Sequence, residues 1–245
     1  MRYRHRTPPN SPVAARKETL LRIVFLCSGG GGNLRFVAAA RNQGWLPDAQ
    51  ISAVLSDRAC GAHTFALVNG LHAELMDFSA EGQMALLDKL HGLNPDLIIT
   101  TVHKVLVPAV VKAFDCKLVN LHYSLLPAFA GVIGDRPVRQ ALASGAKFVG
   151  VTVHLVDDSL DMGRPLVQAV TAVSPEQDFD ALMDRLFRSG CLALLQAISM
   201  LSPHRQPIAE LTQATVMLGG QPVHFNPVVT VPSSLQSDSG WLLPQ

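Results

Sequence analysis

LVNLHYSLLP, residues Leu118–Pro127, begins as a buried strand over Lys117–Leu121 and turns polar at its carboxyl end. An open α/β sheet presents its chemistry where a short apolar run is broken in this way by Asn and His. Asn120 and His122 are two apart on an extended chain, so their side chains point to the same side. Pro127 ends regular structure and starts a loop. The second deciding stretch is GVTVHLVDDSLDMG, Gly150–Gly163, in which an apolar strand over Val149–Val156 is broken by Asp157-Asp158-Ser159. Asp161 follows His122 by 39 residues, a spacing that one crossover unit would bring together. An amide, an imidazole and a carboxylate at one place can serve an oxyanion and a proton at once. The bland alternative is a strand-end turn with a capping Asp and a structural His.

Working outward, Leu21–Cys27 (LRIVFLC) reads as a buried strand that runs directly into Ser28-Gly29-Gly30-Gly31-Gly32-Asn33. A helix is expected from near Asn33 to about Arg41. Strand, glycine turn and helix N-terminus together aim backbone N–H groups at one point, an arrangement suited to an anion. The loop lacks the Gly-Lys-Ser/Thr of a Walker loop, and Leu34 stands where GxGxxG needs its third glycine. A tight turn without ligand is the competing reading. Further strands are expected at Ala49–Leu55, Ala73–Met76, Leu97–Thr101, Lys147–His154 and Pro165–Val173. Helices are expected at Gly61–Asn69, at Ala80–His91 with Met84, Leu87 and Leu90 on one face, after Asp135, and over Gln177–Leu201. The alternation predicts an α/β fold: a mostly parallel twisted sheet with helices on both faces. Gly219-Gly220 between Thr215–Leu218 and Val223–Phe225 adds a C-terminal hairpin.

The division expected is a flexible basic tail over residues 1–19, a catalytic domain over 20–205, and an extension over 206–245 made of the hairpin and a tail. The chain of 245 residues has 48% hydrophobic and 16% charged residues, which suits a filled core. A net charge of +1 gives no case for nucleic acid or an acidic membrane surface. The apolar run Leu20–Cys27 is too short to span a bilayer. Cys27, Cys60, Cys116 and Cys191 show no CxxC pairing, so reduced thiols in a cytoplasmic protein and no metal are expected.

NLHYSLLP followed by GVTVHLVDDSLDMGRPLVQ resembles the folate-dependent formyltransferase family, from about Leu20 to Leu201 and most nearly its glycinamide ribonucleotide transformylase branch. The family pattern is Asn-x-His-x-Ser-x-Leu-Pro, then a His-bearing strand and a Leu-Asp-x-Gly loop. Arg164 here precedes Pro165 in that loop. The resemblance implies formyl transfer from 10-formyltetrahydrofolate, as co-substrate, to a small-molecule amine. It gives Asn120 the oxyanion, His122 a second donor or proton, and Asp161 the proton relay, with Ser124 and His154 as supports. It places folate against Val102, His103, Lys104, Val105, Asp157 and Asp158. It places the acceptor against Gly29, Gly30, Gly31, Gly32 and Asn33.

The acceptor is where the sequence departs from the branch. The carboxylate that the resemblance implies on the last helix has no counterpart at Ser189-Gly190-Cys191, and the loop Ala128–Gly134 is about three residues long beyond the expected length. These departures favour a non-nucleotide amine, with hydroxyornithine in siderophore assembly the leading guess and glycinamide ribonucleotide the alternative. A deformylase using water, a non-catalytic folate or nucleotide binder, and a nicotinamide-dependent oxidoreductase are the rival readings. Monomer and homodimer both stand open.

Overall fold

The apolar runs of the first half form strands buried on both faces, as a sheet covered by helices on each side requires. A computed structural model describes residues 20–174, 176–202, 212–235 and 241. The tail expected over residues 1–19, and that expected over 236–245 apart from Trp241, lie outside them. Strands β1 (Leu21–Cys27), β2 (Ala49–Ser56), β3 (Ala73–Leu75), β4 (Leu97–Thr101) and β5 (Leu118–His122) are parallel, in the order β3-β2-β1-β4-β5. The sheet continues antiparallel through β6 (Phe148–Leu155), β7 (Pro165–Ala172), β8 (Thr212–Leu218) and β9 (Gln221–Thr230), in the order β5-β6-β7-β9-β8. The expected hairpin is therefore the edge of the same sheet. The expected crossover after β5 is corrected: β6 returns antiparallel.

Helices α1 (Gly32–Asn42), α2 (Gly61–Val68), α5 (Arg136–Ala143) and α6 (Phe179–Leu201) cover one face. Helices α3 (Gln83–Leu93) and α4 (Pro108–Ala113) cover the other. Alternation along the strands sorts the core accordingly. Val119 and Leu121 belong to the α1/α6 side, whereas Leu118 belongs to the α3/α4 side. By the same period-2 rule Asn120 and His122 share the side of Leu118. Helix α6 starts at Asp178, whose Oδ1 accepts from the Ala181 N–H at 2.8 Å. Its residues Leu182, Leu186, Leu194 and Ile198 are buried, as the spacing predicted. Gly190 lets this helix approach β5 closely, since a Cβ there would lie 2.7 Å from Leu121 Cδ2. Trp241 stacks on Phe36 of α1, with ring centroids 6.1 Å apart.

The apolar row expected on α3 is only partly its packed face: Leu90 is buried and Leu87 packs against the core. Met84 is 52% exposed, and Gln83, Leu86 and Leu90 face inward. The helix begins three residues later than read, and a buried polar residue holds its inner face. Gln83 can be buried because its amide is satisfied. Nε2 donates to the carbonyls of Phe78 and Val105, at 3.2 and 3.0 Å, and Oε1 accepts from the Val107 N–H at 2.7 Å. The short α4 was absent from the sequence reading.

Candidate active site

The register of β5 and β6 sets Asn120 directly opposite His154, and His122 opposite Thr152. A cross-strand pair on one face of an antiparallel ladder lies close enough to touch. Asn120 Nδ2 is 3.4 Å from His154 Nε2. His154 Nδ1 donates to the Leu155 carbonyl at 2.8 Å, which leaves Nε2 of the neutral ring to accept from the amide. One amide hydrogen is thereby oriented by His154, and the second is free to point elsewhere. His122, 6% exposed, donates from Nε2 to the Phe129 carbonyl at 3.2 Å. Its Nδ1 faces Asp161 Oδ2 at 3.4 Å, an ion-pair distance longer than a good hydrogen bond.

Asp161 reaches these residues from the loop between β6 and β7, which folds back over the sheet. Its backbone is left-handed, at φ +54°. Its Oδ2 also accepts from the Gly131 N–H at 2.8 Å, and its Oδ1 lies 3.7 Å from His154 Nε2. One carboxylate therefore bridges both imidazoles and the 128–134 loop. Gly163 lets the loop close, because a Cβ there would fall 1.8 Å from the Leu155 carbonyl oxygen. The turn after His122 is held separately. Ser124 Oγ donates to the Ala128 carbonyl at 2.5 Å. Thr152 Oγ1 donates to the Ser124 carbonyl at 2.7 Å and accepts from the Leu126 N–H at 3.1 Å and Gln168 Nε2 at 3.0 Å. The sequence reading named Ser124 and His154 but missed Thr152, Gln168 and Gln83, whose partners lie far along the chain.

Asn120, His122 and Asp161 open on a cleft of about 280 Å³. Val102, His103, Lys104 and Val105 form one wall, Asp157 and Asp158 another, and Gly131–Gly134 a third. Ser28 braces the first wall from behind the lining, its Oγ accepting from the His103 N–H at 3.0 Å. Asn33 reaches the lining, but Gly29, Gly30, Gly31 and Gly32 do not. Their loop adjoins it, at the meeting of two helix starts. The Gly29 carbonyl accepts from the Ala62 N–H of α2 at 3.0 Å, and Gly31 caps the start of α1 at φ +76°. A Cβ on Gly31 would lie 2.8 Å from Ala62 Cβ, whereas Gly29 and Gly30 have nothing within 4 Å of theirs. Asn33 Oδ1 is enclosed without a hydrogen-bond partner. Among the described residues no group of three His, Cys, Asp or Glu side chains is placed to hold a metal, and no helix is long and apolar enough to cross a membrane.

Burial pushes the His154 imidazole below its ordinary value, against the opposing pull of the Leu155 carbonyl and Asp161. The unfolded chain therefore binds that proton more readily than the folded one. Stability should fall as pH drops from the ordinary histidine value of 6.5 through the depressed folded value. Thermal midpoints across that window should decline less steeply in His154→Gln than in the parent. Equal slopes would show that His154 does not carry the effect.

Residues 21–198 match the family described as formyl transferase. Phosphoribosylglycinamide formyltransferase from Mycobacterium tuberculosis is 33% identical over 205 residues, covering 81% of this chain and 89% of the relative. The chloroplastic phosphoribosylglycinamide formyltransferase of Vigna unguiculata is 30% identical over 201 residues, or 79% of this chain, which spans 64% of that relative's length. Glycinamide ribonucleotide transformylase 1 from Symbiobacterium toebii superposes with a TM-score of 0.68 at 30% identity, covering 74% of this chain and 86% of that one. With the match running from β1 through nearly all of α6, the chain belongs to the formyl transferase family.

Proposed function

We propose that this protein transfers the formyl group of 10-formyltetrahydrofolate to the amine of phosphoribosylglycinamide. The observation that carries the reading is the convergence of Asn120, His122 and Asp161 on one cleft. The acceptor amine attacks the formyl carbon, and the carbonyl electrons move onto its oxygen. The Asn120 N–H that His154 leaves free donates to that oxygen, with His122 beside it. As the C–N10 bond breaks, a proton leaves the attacking nitrogen and one arrives at N10. Asp161, joined to His122, is the group placed to pass it. Folate lies against the Val102–Val105 wall and Asp157–Asp158. The acceptor phosphate lies at the Gly29–Asn33 loop, where two helix starts offer backbone N–H groups.

The acceptor replaces the one the sequence favoured. The relatives described above carry phosphoribosylglycinamide in their names, which supports the nucleotide and gives hydroxyornithine and siderophore assembly no support. The empty position at Gly190 is a departure that such an acceptor tolerates, since one hydrogen bond is worth roughly 0.5–1.5 kcal/mol. Four unpaired thiols support a reducing compartment such as the cytoplasm.

Steady-state turnover of 10-formyltetrahydrofolate with phosphoribosylglycinamide, hydroxyornithine and water as acceptors tests the reading. The expected result is efficient formylation of the nucleotide alone. Turnover of hydroxyornithine but not of the nucleotide would reverse it. The loop has its own test. Valine at Gly30 meets no protein atom at its Cβ, so the fold should survive while the anion's approach is blocked. The acceptor KM should rise about tenfold or more with the folate KM unchanged. A rise in the folate KM instead would mean the two ends of the cleft are reversed.

A further inference from the structure

We propose that the hydroxyl of Tyr123 recognises the sugar of the acceptor; the inference rests on the reading of phosphoribosylglycinamide as that acceptor. Tyr123 follows His122 at the end of β5 and lines the same cleft. Its side chain packs against the core on the α1/α6 side, with Val119 and Leu121, and so opposite Asn120 and His122. That side of the sheet carries α6, whose Cys191 acts on the Tyr123 phenol, and α1, which contributes Asn33 to the same cleft. Among the described residues the phenol oxygen has no hydrogen-bond partner, although the ring is half-buried. A half-buried tyrosine whose hydroxyl has no protein partner is a recognition group in want of a ligand.

The neighbouring turn of α6 cannot supply that recognition. Ser189 spends its hydroxyl on the Arg185 carbonyl, at 2.7 Å. Gly190 has no side chain and abuts Leu121, and Cys191 is fully buried. Burial also pushes the Tyr123 phenol above its ordinary value, so it remains an O–H able both to donate and to accept. The connectivity of the acceptor then fixes what meets it. The glycyl amine must reach Asn120, His122 and Asp161, and the phosphate must reach the glycine loop beside Asn33. The ribose joins the two, and Tyr123 lines the cleft that holds both Asn33 and the catalytic residues. A sugar hydroxyl and a phenol satisfy each other, whichever of the two donates.

The alternative is that Tyr123 only fills space, and the Tyr123→Phe enzyme separates the two. The measurement is steady-state kinetics at saturating 10-formyltetrahydrofolate, with phosphoribosylglycinamide and with its 2-deoxyribose and 3-deoxyribose analogues. The expected result is an acceptor KM raised roughly 3- to 10-fold in Tyr123→Phe, with kcat, the folate KM and the thermal midpoint unchanged. One deoxy analogue should carry a similar penalty in the parent enzyme and none beyond it in Tyr123→Phe, the signature of a shared contact. An unchanged acceptor KM, or deoxy penalties equal in both enzymes, would overturn the role of Tyr123 while leaving the acceptor intact. A parent enzyme that does not turn over phosphoribosylglycinamide would overturn the acceptor itself, and the role of Tyr123 with it.

Discussion

Asp161→Asn should lower kcat for formyl transfer on the order of 10²-fold or more, with folate binding and thermal stability close to those of the parent enzyme. The choice of asparagine matters. Asp161 sits at φ +54°, a left-handed backbone that asparagine tolerates and alanine does not tolerate well. The asparagine carbonyl can still accept from the Gly131 N–H, so the loop stays tied down. What disappears is the charge beside His122 Nδ1 and the capacity to take a proton. A loss in kcat with folate affinity retained would assign the defect to the chemical step. Single-turnover formylation with enzyme in excess measures that step directly. A rate within a few-fold of the parent would remove Asp161 from the proton path and leave it the holder of the 128–134 loop.

The sequence carried some of this site and was mute on the rest for identifiable reasons. Asn120 and His122 were legible because two positions on one strand share a face whatever the neighbours do. The start of the strand Leu97–Thr101 was legible because Asn94-Pro95-Asp96 precedes the apolar Leu97-Ile98-Ile99. The pairing of Asn120 with His154 depends on β6 running antiparallel in one register, and no local signal in Phe148–Leu155 states a direction. The apolar row Met84, Leu87 and Leu90 on α3 matches the packed face at Leu87 and Leu90 but not at Met84. Gln83 faces inward in place of Met84 because the Phe78, Val105 and Val107 backbone groups needed the Gln83 amide. Ser28 was read with the glycines, yet its hydroxyl serves His103, 75 residues away. Long-range satisfaction of backbone groups is thus the part of the site that the sequence hid.

Gly163→Ala should be the most disruptive single methyl group in the protein's site. The backbone at Gly163 needs no positive φ; what it needs is room. An added Cβ would sit 1.8 Å from the Leu155 carbonyl oxygen and 3.4 Å from the Asp157 nitrogen. Both are backbone atoms, so no rotamer change relieves the overlap. The loop must lift from β6, and the Leu155 N–H to Arg164 carbonyl bond, 3.0 Å, lies in the path of that movement. Over-packing against backbone costs roughly 1–3 kcal/mol, which in a chain of this size lowers the thermal midpoint by about 2–12 °C. Activity should fall further than stability does, because Asp161 rides on the same loop and only a small displacement breaks its approach to His122. Gly92→Ala is the matched control: it lies in α3 with nothing within 4 Å of its Cβ, and should be neutral or slightly stabilising. Parallel thermal melts and turnover assays on the two variants decide the matter. A parent-like midpoint and rate in Gly163→Ala would mean that the loop reaches Asp161 into place by some route other than contact with Leu155.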